Sequence, residues 1–280
     1  VASDYPTITG DGFGGAIIAW EDNRSSSIDI YAQRIDTNGV VKWTEGGVAI
    51  STAANSQILP TVTSDGTGGA IIAWPDFRNG TNWDIYAQRV NAEGVVQWTA
   101  NGVAISTAAD NQRYPTPVSD GTGGAIITWY DHRSGTNDDI YGQRINPNGA
   151  VQWTANGVAI STAVGPIELG DQFLPTITSD DARGAIITWQ DKRGGNGDIY
   201  SQRVNGDGVV QWTANGVAIS TAANNQAAPA IIKDGAGGAI ITWEDHRSGN
   251  GDIYAQRIFS NGTLGGVLAL GTWATIVTFW

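Results

Sequence analysis

The sequence repeats one long motif five times, with small variations. Its most regular copy, DGAGGAIITWEDHRSGNGDIYAQR, begins at Asp234. The tryptophan of this motif recurs at Trp20, Trp74, Trp129, Trp189 and Trp243. The spacing of these positions is nearly constant, and five such periods account for nearly all of the 280 residues. A period of about 55 residues predicts one array of equivalent structural units.

Each unit reads as short strands joined by tight turns. A strand led by proline, such as Tyr5–Thr9, precedes a D-G-x-G-G turn and an apolar strand such as Ala16–Trp20. Apolar residues on both faces of this second strand predict that both faces are covered. A polar loop of variable length leads to a third strand, D-I-Y-A-Q-R. We expect a fourth strand at Val40–Trp43 and its copies, and the next segment, V-A-I-S, is a fifth short strand or the return to the next unit.

Four strands per unit with no helical pattern predict an all-β chain, and radial packing of such sheets predicts a five-bladed β-propeller. The alternative is a β-solenoid, although solenoid coils are usually shorter and more uniform than this unit. We expect one domain over residues 1–280. Its blades are expected at approximately 1–55, 56–110, 111–170, 171–225 and 226–280.

The charge and composition exclude several function classes. The net charge is −12, and the arginines recur singly within the repeat, which argues against nucleic acid as a partner. No apolar run is long enough to insert into a membrane. The absence of cysteine excludes disulfides and thiol catalysis, and we expect neither a cofactor nor a metal. Because methionine is absent even at position 1, we expect an extracellular or cell-surface chain after removal of an N-terminal signal; an excised fragment of a larger protein is the alternative.

The pattern P-x-I/V-x-x-D-G-x-G-G-A-I-I-x-W-x-D-x-R-x-G-x-x-D-I-Y resembles the TolB-type propeller repeat over the first half of all five units. The second half, V-V-x-W-T-x-N-G-V-A-I-S, is similar to repeats in large secreted or surface proteins of Bacteroidetes-like bacteria. The resemblance implies a propeller, an exported setting and, by analogy of fold alone, a protein-interaction platform. It implies no catalytic residue.

Each unit also carries an Asp-x-Arg pair followed by the aspartate of D-I-Y. Residues two apart on an extended strand face the same side, so an Asp-Arg-Asp cluster across the hairpin is expected. We interpret it as a structural network, with a repeated polar pocket as the alternative. The residues are Asp22, Arg24, Asp29, Asp76, Arg78, Asp84, Asp131, Arg133, Asp139, Asp191, Arg193, Asp198, Asp245, Arg247 and Asp252.

A second set of tryptophans recurs in the outer half of four units, at Trp43, Trp98, Trp153 and Trp212. A partly exposed indole is a platform on which a sugar ring can stack. These four residues are therefore the candidate ligand-binding residues, and the alternative is that they seal the contacts between blades.

Paired carboxylates could hydrolyse glycosidic bonds, and Glu21 and Glu244 precede the repeated aspartate in the first and fifth units. A single active site needs asymmetry, whereas these units are close copies. We therefore expect no catalytic residue and no enzyme. His132 and His246 occupy equivalent positions on separate units and are expected to be loop residues that bind no metal.

The fifth unit departs from the repeat after Arg257 and ends in an uncharged, β-rich tail. Such a tail must be buried, either as the outer strand of its own blade or on the edge of another copy, where it would build a filament. The assembly candidates are Val267, Leu268, Leu270, Trp273, Ile276, Val277, Phe279 and Trp280.

The sequence thus favours a secreted, non-catalytic structural or interaction module. Its partner would be another copy of itself, or a glycan or protein at the cell surface. The alternative is a propeller glycoside hydrolase that acts on polysaccharide.

Overall fold

A computed structural model of the chain describes residues 3–165 and 171–271. Within these ranges the regular elements are twenty strands, arranged as five antiparallel sheets of four. In every sheet the spatial order of the strands follows the chain. The fold is the five-bladed β-propeller that the repeat predicts, and the β-solenoid alternative is wrong.

The five sheets have closely similar bounds, because the repeat fixes the lengths of the strands. The first sheet comprises β1 (Ser3–Gly10), β2 (Ala16–Asp22), β3 (Asp29–Ile35) and β4 (Val48–Ser51). The second comprises β5 (Thr61–Ser64), β6 (Ala70–Asp76), β7 (Asp84–Val90) and β8 (Val103–Ser106). The third comprises β9 (Gln112–Ser119), β10 (Ala125–Asp131), β11 (Asp139–Ile145) and β12 (Val158–Ser161). The fourth comprises β13 (Gln172–Ser179), β14 (Ala185–Asp191), β15 (Asp198–Val204) and β16 (Val217–Ser220). The fifth comprises β17 (Gln226–Lys233), β18 (Ala239–Asp245), β19 (Asp252–Ile258) and β20 (Leu264–Gly271).

The described residues fall into two compact units. The first lies within Val1–Arg133 and Gly142–Val158, and the second within Ser134–Tyr141 and Ala159–Trp280. The first two sheets belong to the first unit, the last two belong to the second, and the third contributes to both. One domain over residues 1–280 stays a prediction.

The second strand of each blade provides most of the core. Every residue of β6 and of β14 is buried, including Trp74 and Trp189 at 0% exposure. These strands are apolar on both faces because both faces are covered, as their sequence predicts.

The first strands lie side by side within each unit, β1 against β5 against β9 in the first and β13 against β17 in the second. Each contains or directly follows an X-Pro step at which the residue before proline has a positive φ, for example 49° at Tyr5 and 52° at Tyr114. The pairing of β1 with β2 shifts at this step, between Asp4 and Thr7. The resulting bulge re-aims the side chains near the start of the strand.

The expectation of a fourth strand at Val40–Trp43 is wrong, because V-A-I-S forms that strand instead. Near Val40–Trp43 the pairing is reduced to a single bridge between Ile35 and Val41. The side chain of Gln33 replaces the missing ladder: its Oε1 accepts the Trp43 N–H at 2.9 Å, and its Nε2 donates to the Thr44 carbonyl at 2.9 Å. A buried glutamine therefore satisfies the backbone where no strand does.

The end of the chain completes the fifth sheet as far as the structure describes it. Strand β20 pairs antiparallel with β19, and its Val267, Leu268 and Leu270 are 46%, 62% and 58% exposed. The other assembly candidates, Trp273, Ile276, Val277, Phe279 and Trp280, lie outside the described residues. Assembly through this tail stays a prediction. In the described ranges the structure shows no helix with the length and apolarity to cross a membrane.

Candidate functional site

The Asp-x-Arg pair forms an ion pair at the end of the second strand in every blade. In the second blade the Asp76 carboxylate accepts from the Trp74 indole at 2.8 Å and from Nε and Nη2 of Arg78 at 2.9 and 2.6 Å. The same guanidinium donates to the Asn101 carbonyl at 2.7 Å and stacks on the Tyr86 ring at 3.6 Å. The equivalent pairs are Asp22 with Arg24, Asp131 with Arg133, Asp191 with Arg193 and Asp245 with Arg247.

In four blades the aspartate of D-I-Y accepts hydrogen bonds from side chains of its hairpin loop. Asp84 accepts from the side-chain amides of Asn79 and Asn82, both at 2.9 Å. Burial raises its pKa to about 6. Asp29, Asp139 and Asp252 likewise bond to Ser25, Asn137 and Ser248. Burial also raises the pKa of Asp198 to about 6.

A second set of ion pairs joins the D-G turn to the third strand. The Arg89 guanidinium contacts Oδ2 of Asp65 at 2.8 Å, and Oδ1 accepts the N–H groups of Thr67 and Gly69. Burial opposes ionisation, but these bonds outweigh it and hold the pKa of Asp65 below its ordinary value. These pairs were not predicted from the sequence, although the recurrent D-G and Q-R of the motif could have indicated them.

Three of the outer tryptophans donate a hydrogen bond to the next blade. The Trp98 indole donates to the Pro147 carbonyl at 2.9 Å, Trp43 to Ala92 at 2.9 Å, and Trp212 to Ser260 at 3.1 Å. Trp43, Trp98 and Trp153 are only 6%, 8% and 8% exposed. Ligand binding by these four residues stays a prediction, but Trp43, Trp98 and Trp153 leave little indole surface for a sugar to stack on, whereas Trp212 is partly exposed.

The blades differ in one pair of opposed residues. This pair lies on the first two strands of each blade, at the end that carries the Asp-x-Arg loop. In the first blade Asp4 opposes Glu21, whereas Arg113 opposes Tyr130 in the third. Phe173 opposes Gln190 in the fourth blade, and Ala227 opposes Glu244 in the fifth. In these four registers, the first blade alone opposes two carboxylates, and we call Asp4 and Glu21 the acidic pair.

The two members of the acidic pair have different surroundings. Glu21 is 4% exposed, and its Oε1 accepts the Leu59 N–H at 2.6 Å. Burial raises its pKa, the Leu59 N–H acts in the opposite direction, and the charge of Asp4 raises it further, so the net pKa lies above the ordinary value. Asp4 is exposed and lines an open groove of about 430 Å³ together with Pro6 and Trp20. The surroundings of Glu21 thus favour its protonated form, whereas Asp4 is exposed to solvent.

The equivalent residues of the fifth blade are more open. The Glu244 side chain is 46% exposed, and its Oε1 lies 3.0 Å from Nε2 of His246. His132, at the equivalent position of the third blade, is partly buried. The two histidines thus lie in the Asp-x-Arg loops, as the sequence predicts.

A group of aromatic residues and one arginine lies on the second and third blades, after the blade that carries the acidic pair. The Phe77 and Trp83 rings are 5.0 Å apart, and those of Tyr114 and Tyr130 are 5.1 Å apart. The Arg113 guanidinium lies 6.0 Å from the Trp83 ring. We call these five residues the aromatic cluster. Phe77, Trp83, Arg113 and Tyr130 occur at their positions in one copy of the repeat each, and this departure from the repeat could have indicated the cluster.

Hydrogen bonds between neighbouring blades link the blades that carry the two groups. Glu21 of the first blade holds Leu59 of the second, and Thr61 Oγ1 donates to the Pro115 carbonyl of the third at 2.8 Å. The loop that carries Trp83 is fixed on β9, since the Trp83 carbonyl accepts the Gln112 N–H at 2.7 Å. The acidic pair and the aromatic cluster are therefore held on adjacent blades of one unit.

No family model matches the sequence, and no curated protein matches it. Solved structures with this fold include an endo-arabinase from Bacteroides thetaiotaomicron, at 15% identity over 91% of this chain and 93% of that one, with a TM-score of 0.51. An α-L-arabinanase from Penicillium chrysogenum is 13% identical over 90% and 77% of the chains, with a TM-score of 0.54. An ulvan lyase of a polysaccharide lyase family is 11% identical over 91% and 68%, with a TM-score of 0.59.

These structures contradict the expectation that the chain is not an enzyme. The propellers that it is similar to include arabinanases, an arabinofuranosidase and a polysaccharide lyase. The expectation relied on the similarity of the copies, and it overlooked that one pair of opposed residues suffices to make a blade unlike the others. At 10–15% identity the likeness itself shows the fold.

Proposed function

We propose that this propeller is a polysaccharide-acting enzyme, a glycoside hydrolase that uses Glu21 and Asp4. The observation that carries the proposal is the acidic pair itself: two opposed carboxyls in one blade, one buried and one exposed. Carbohydrate-active enzymes among the solved structures that share the fold support the substrate class.

Glycoside hydrolysis needs one carboxylic acid that is protonated and one carboxylate that is ionised. Glu21 meets the first need, because burial raises its pKa and keeps a proton available for the leaving oxygen. The Leu59 N–H fixes its Oε1, so that Oε2 is the atom left to carry this proton. Exposed Asp4 supplies the second carboxylate, which attacks the sugar directly or activates a water molecule.

The test is hydrolysis of a panel of polysaccharides that includes arabinan, with release of reducing ends as the readout. We expect E21Q and D4N to lower kcat at least about a hundredfold, the range for loss of a general acid or base. E244Q changes the equivalent residue of the fifth blade and is the matched control. Undiminished turnover in E21Q on a substrate that the wild-type protein cleaves would contradict the assignment of Glu21 as the general acid.

An extracellular location is part of this proposal, since polysaccharide is an extracellular substrate for most enzymes that degrade it. Descent from TolB-like repeats or kinship with Bacteroidetes surface proteins also remains a proposal, carried by the repeat pattern. Fractionation of the native source, with activity measured in the culture medium and in washed cells, tests the location.

A further inference from the structure

Almost all of the arginines form ion pairs within the blades. Ten arginines pair with an aspartate of their own repeat, five in the Asp-x-Arg pairs and five with the D-G aspartate. Over residues 3–165 and 171–271, the two that pair with no carboxylate are Arg113 and Arg183, and both are exposed. A guanidinium without a carboxylate partner is available to bind one from a ligand.

The two unpaired arginines have different surroundings. Arg183 lies in the D-D-A-R turn that joins β13 to β14, with a φ of 68°. Arg113 lies on β9, opposite Tyr130 and 6.0 Å from the Trp83 ring. Only Arg113 therefore combines a free charge with an aromatic surface.

Trp83 is also unusual among the tryptophans of the described residues, because the others occupy the two repeated positions. Trp83 is partly exposed and lies in the hairpin loop between β6 and β7, packed on Phe77. Its backbone is fixed at both polar atoms, since its N–H donates to Asn111 Oδ1 at 3.1 Å and its carbonyl accepts from Gln112. A rigidly held, partly exposed indole is suited to stacking against a sugar ring.

We infer that the aromatic cluster is a subsite for a uronic acid residue of an anionic polysaccharide. Trp83 stacks on the sugar ring, and Arg113 binds its carboxylate. This rests on the proposed function, because it names the substrate class of the same site. The protein has a net charge of −12 and repels a polyanion at long range, so recognition of the carboxylate depends on this local cation.

The test is binding of polygalacturonate to the E21Q protein at pH 7, measured by calorimetry, with highly methyl-esterified polygalacturonate as the uncharged probe. We expect tighter binding of the charged polymer. R113Q should weaken it about tenfold, as loss of a charge-assisted hydrogen bond of about 1.4 kcal/mol requires, and should lessen its dependence on salt. R183Q is the control and should leave binding unchanged, whereas W83A should weaken binding of both polymers.

Equal affinity for the two polymers, no binding of either, or equal effects of R113Q and R183Q would each overturn the inference. The binding and turnover measurements test the subsite and the proposed hydrolase independently of each other. If arabinan is hydrolysed through Glu21 and polygalacturonate is not bound, the hydrolase stands and the subsite is wrong. If R113Q weakens binding but no polysaccharide is cleaved, the subsite stands and the proposed hydrolase is wrong.

Discussion

The indole nitrogen of Trp74 and Oδ2 of Asp76 are joined by a 2.8 Å hydrogen bond inside a strand that is buried at every residue. Arg78 holds the same carboxylate with two further bonds. Replacing Asp76 with asparagine should cost about 3 to 5 kcal/mol of unfolding free energy, because the amide has no counter-charge for the guanidinium and keeps one acceptor oxygen instead of two for the Arg78 and Trp74 donors. Urea denaturation measures this loss, and E93Q, at an exposed turn, is the control. A loss below about 1 kcal/mol would show that the network is dispensable.

Two glycines with similar backbone angles should respond differently to alanine. Gly102 has a φ of 85°, and a Cβ there would lie 2.7 Å from both the Ala87 carbonyl and the Trp74 ring. Gly121 has a φ of 75° and open space around its Cβ position. G121A should cost about 1 kcal/mol for its left-handed backbone, and G102A about 3 kcal/mol, because overpacking adds to the same strain. Thermal and urea unfolding of both variants compare the costs, and equal values would contradict the packing argument.

Asp198 should make the protein less stable as the pH rises from about 4 to about 6. Its folded pKa of about 6 lies above the ordinary carboxyl value of 3.8, so the folded state binds the extra proton in this window. Ionisation then opposes folding above pH 6. The unfolding free energy of D198N minus that of the wild type should increase by about 1 kcal/mol across the window, after allowance for solvent screening. A difference that is flat with pH would show that Asp198 titrates normally.

The pH dependence of hydrolysis should report Glu21. As a general acid it must be protonated, so kcat/KM should fall as pH rises through its raised pKa, above the ordinary carboxyl range. Removing the negative charge of Asp4 should move this descending limb of the pH profile to lower pH, since that charge helps to raise the pKa of Glu21. The residual activity of D4N, measured from pH 3 to pH 8, tests the direction. A limb that moves to higher pH would exclude coupling between the two carboxyls.

Much of the fold could be predicted because the sequence contains five copies of one blade that can be compared position by position. Aligned copies separate residues that never vary, such as the Trp74 and Asp76 positions, from those that do. The misplaced fourth strand shows the limit of this reasoning. Val40–Trp43 has the composition of a strand, but the Gln33 side chain binds the Trp43 N–H and the Thr44 carbonyl where a strand would continue, and no pattern of apolar residues indicates this.

The candidate site was harder to predict for a related reason. Glu21 is visible as a departure from the repeat, but its partner Asp4 lies well before it in the chain, in a strand whose bulge changes the register. Three of the four tryptophans predicted to bind ligands, Trp43, Trp98 and Trp153, are almost fully buried. The partly exposed Trp83 occurs once, so a search for what the copies share passes over it.

The register that opposes Asp4 to Glu21 also opposes Phe173 to Gln190 on an unchanged backbone pattern. Blade architecture and blade chemistry are therefore separable in this chain. A blade can keep its tryptophan, aspartate and arginine and carry a different opposed pair in the same strand register. Substitutions in one blade can therefore introduce a new catalytic pair while the other four blades keep their structure. For the same reason, a protein engineer could transplant the acidic pair to another blade by two substitutions.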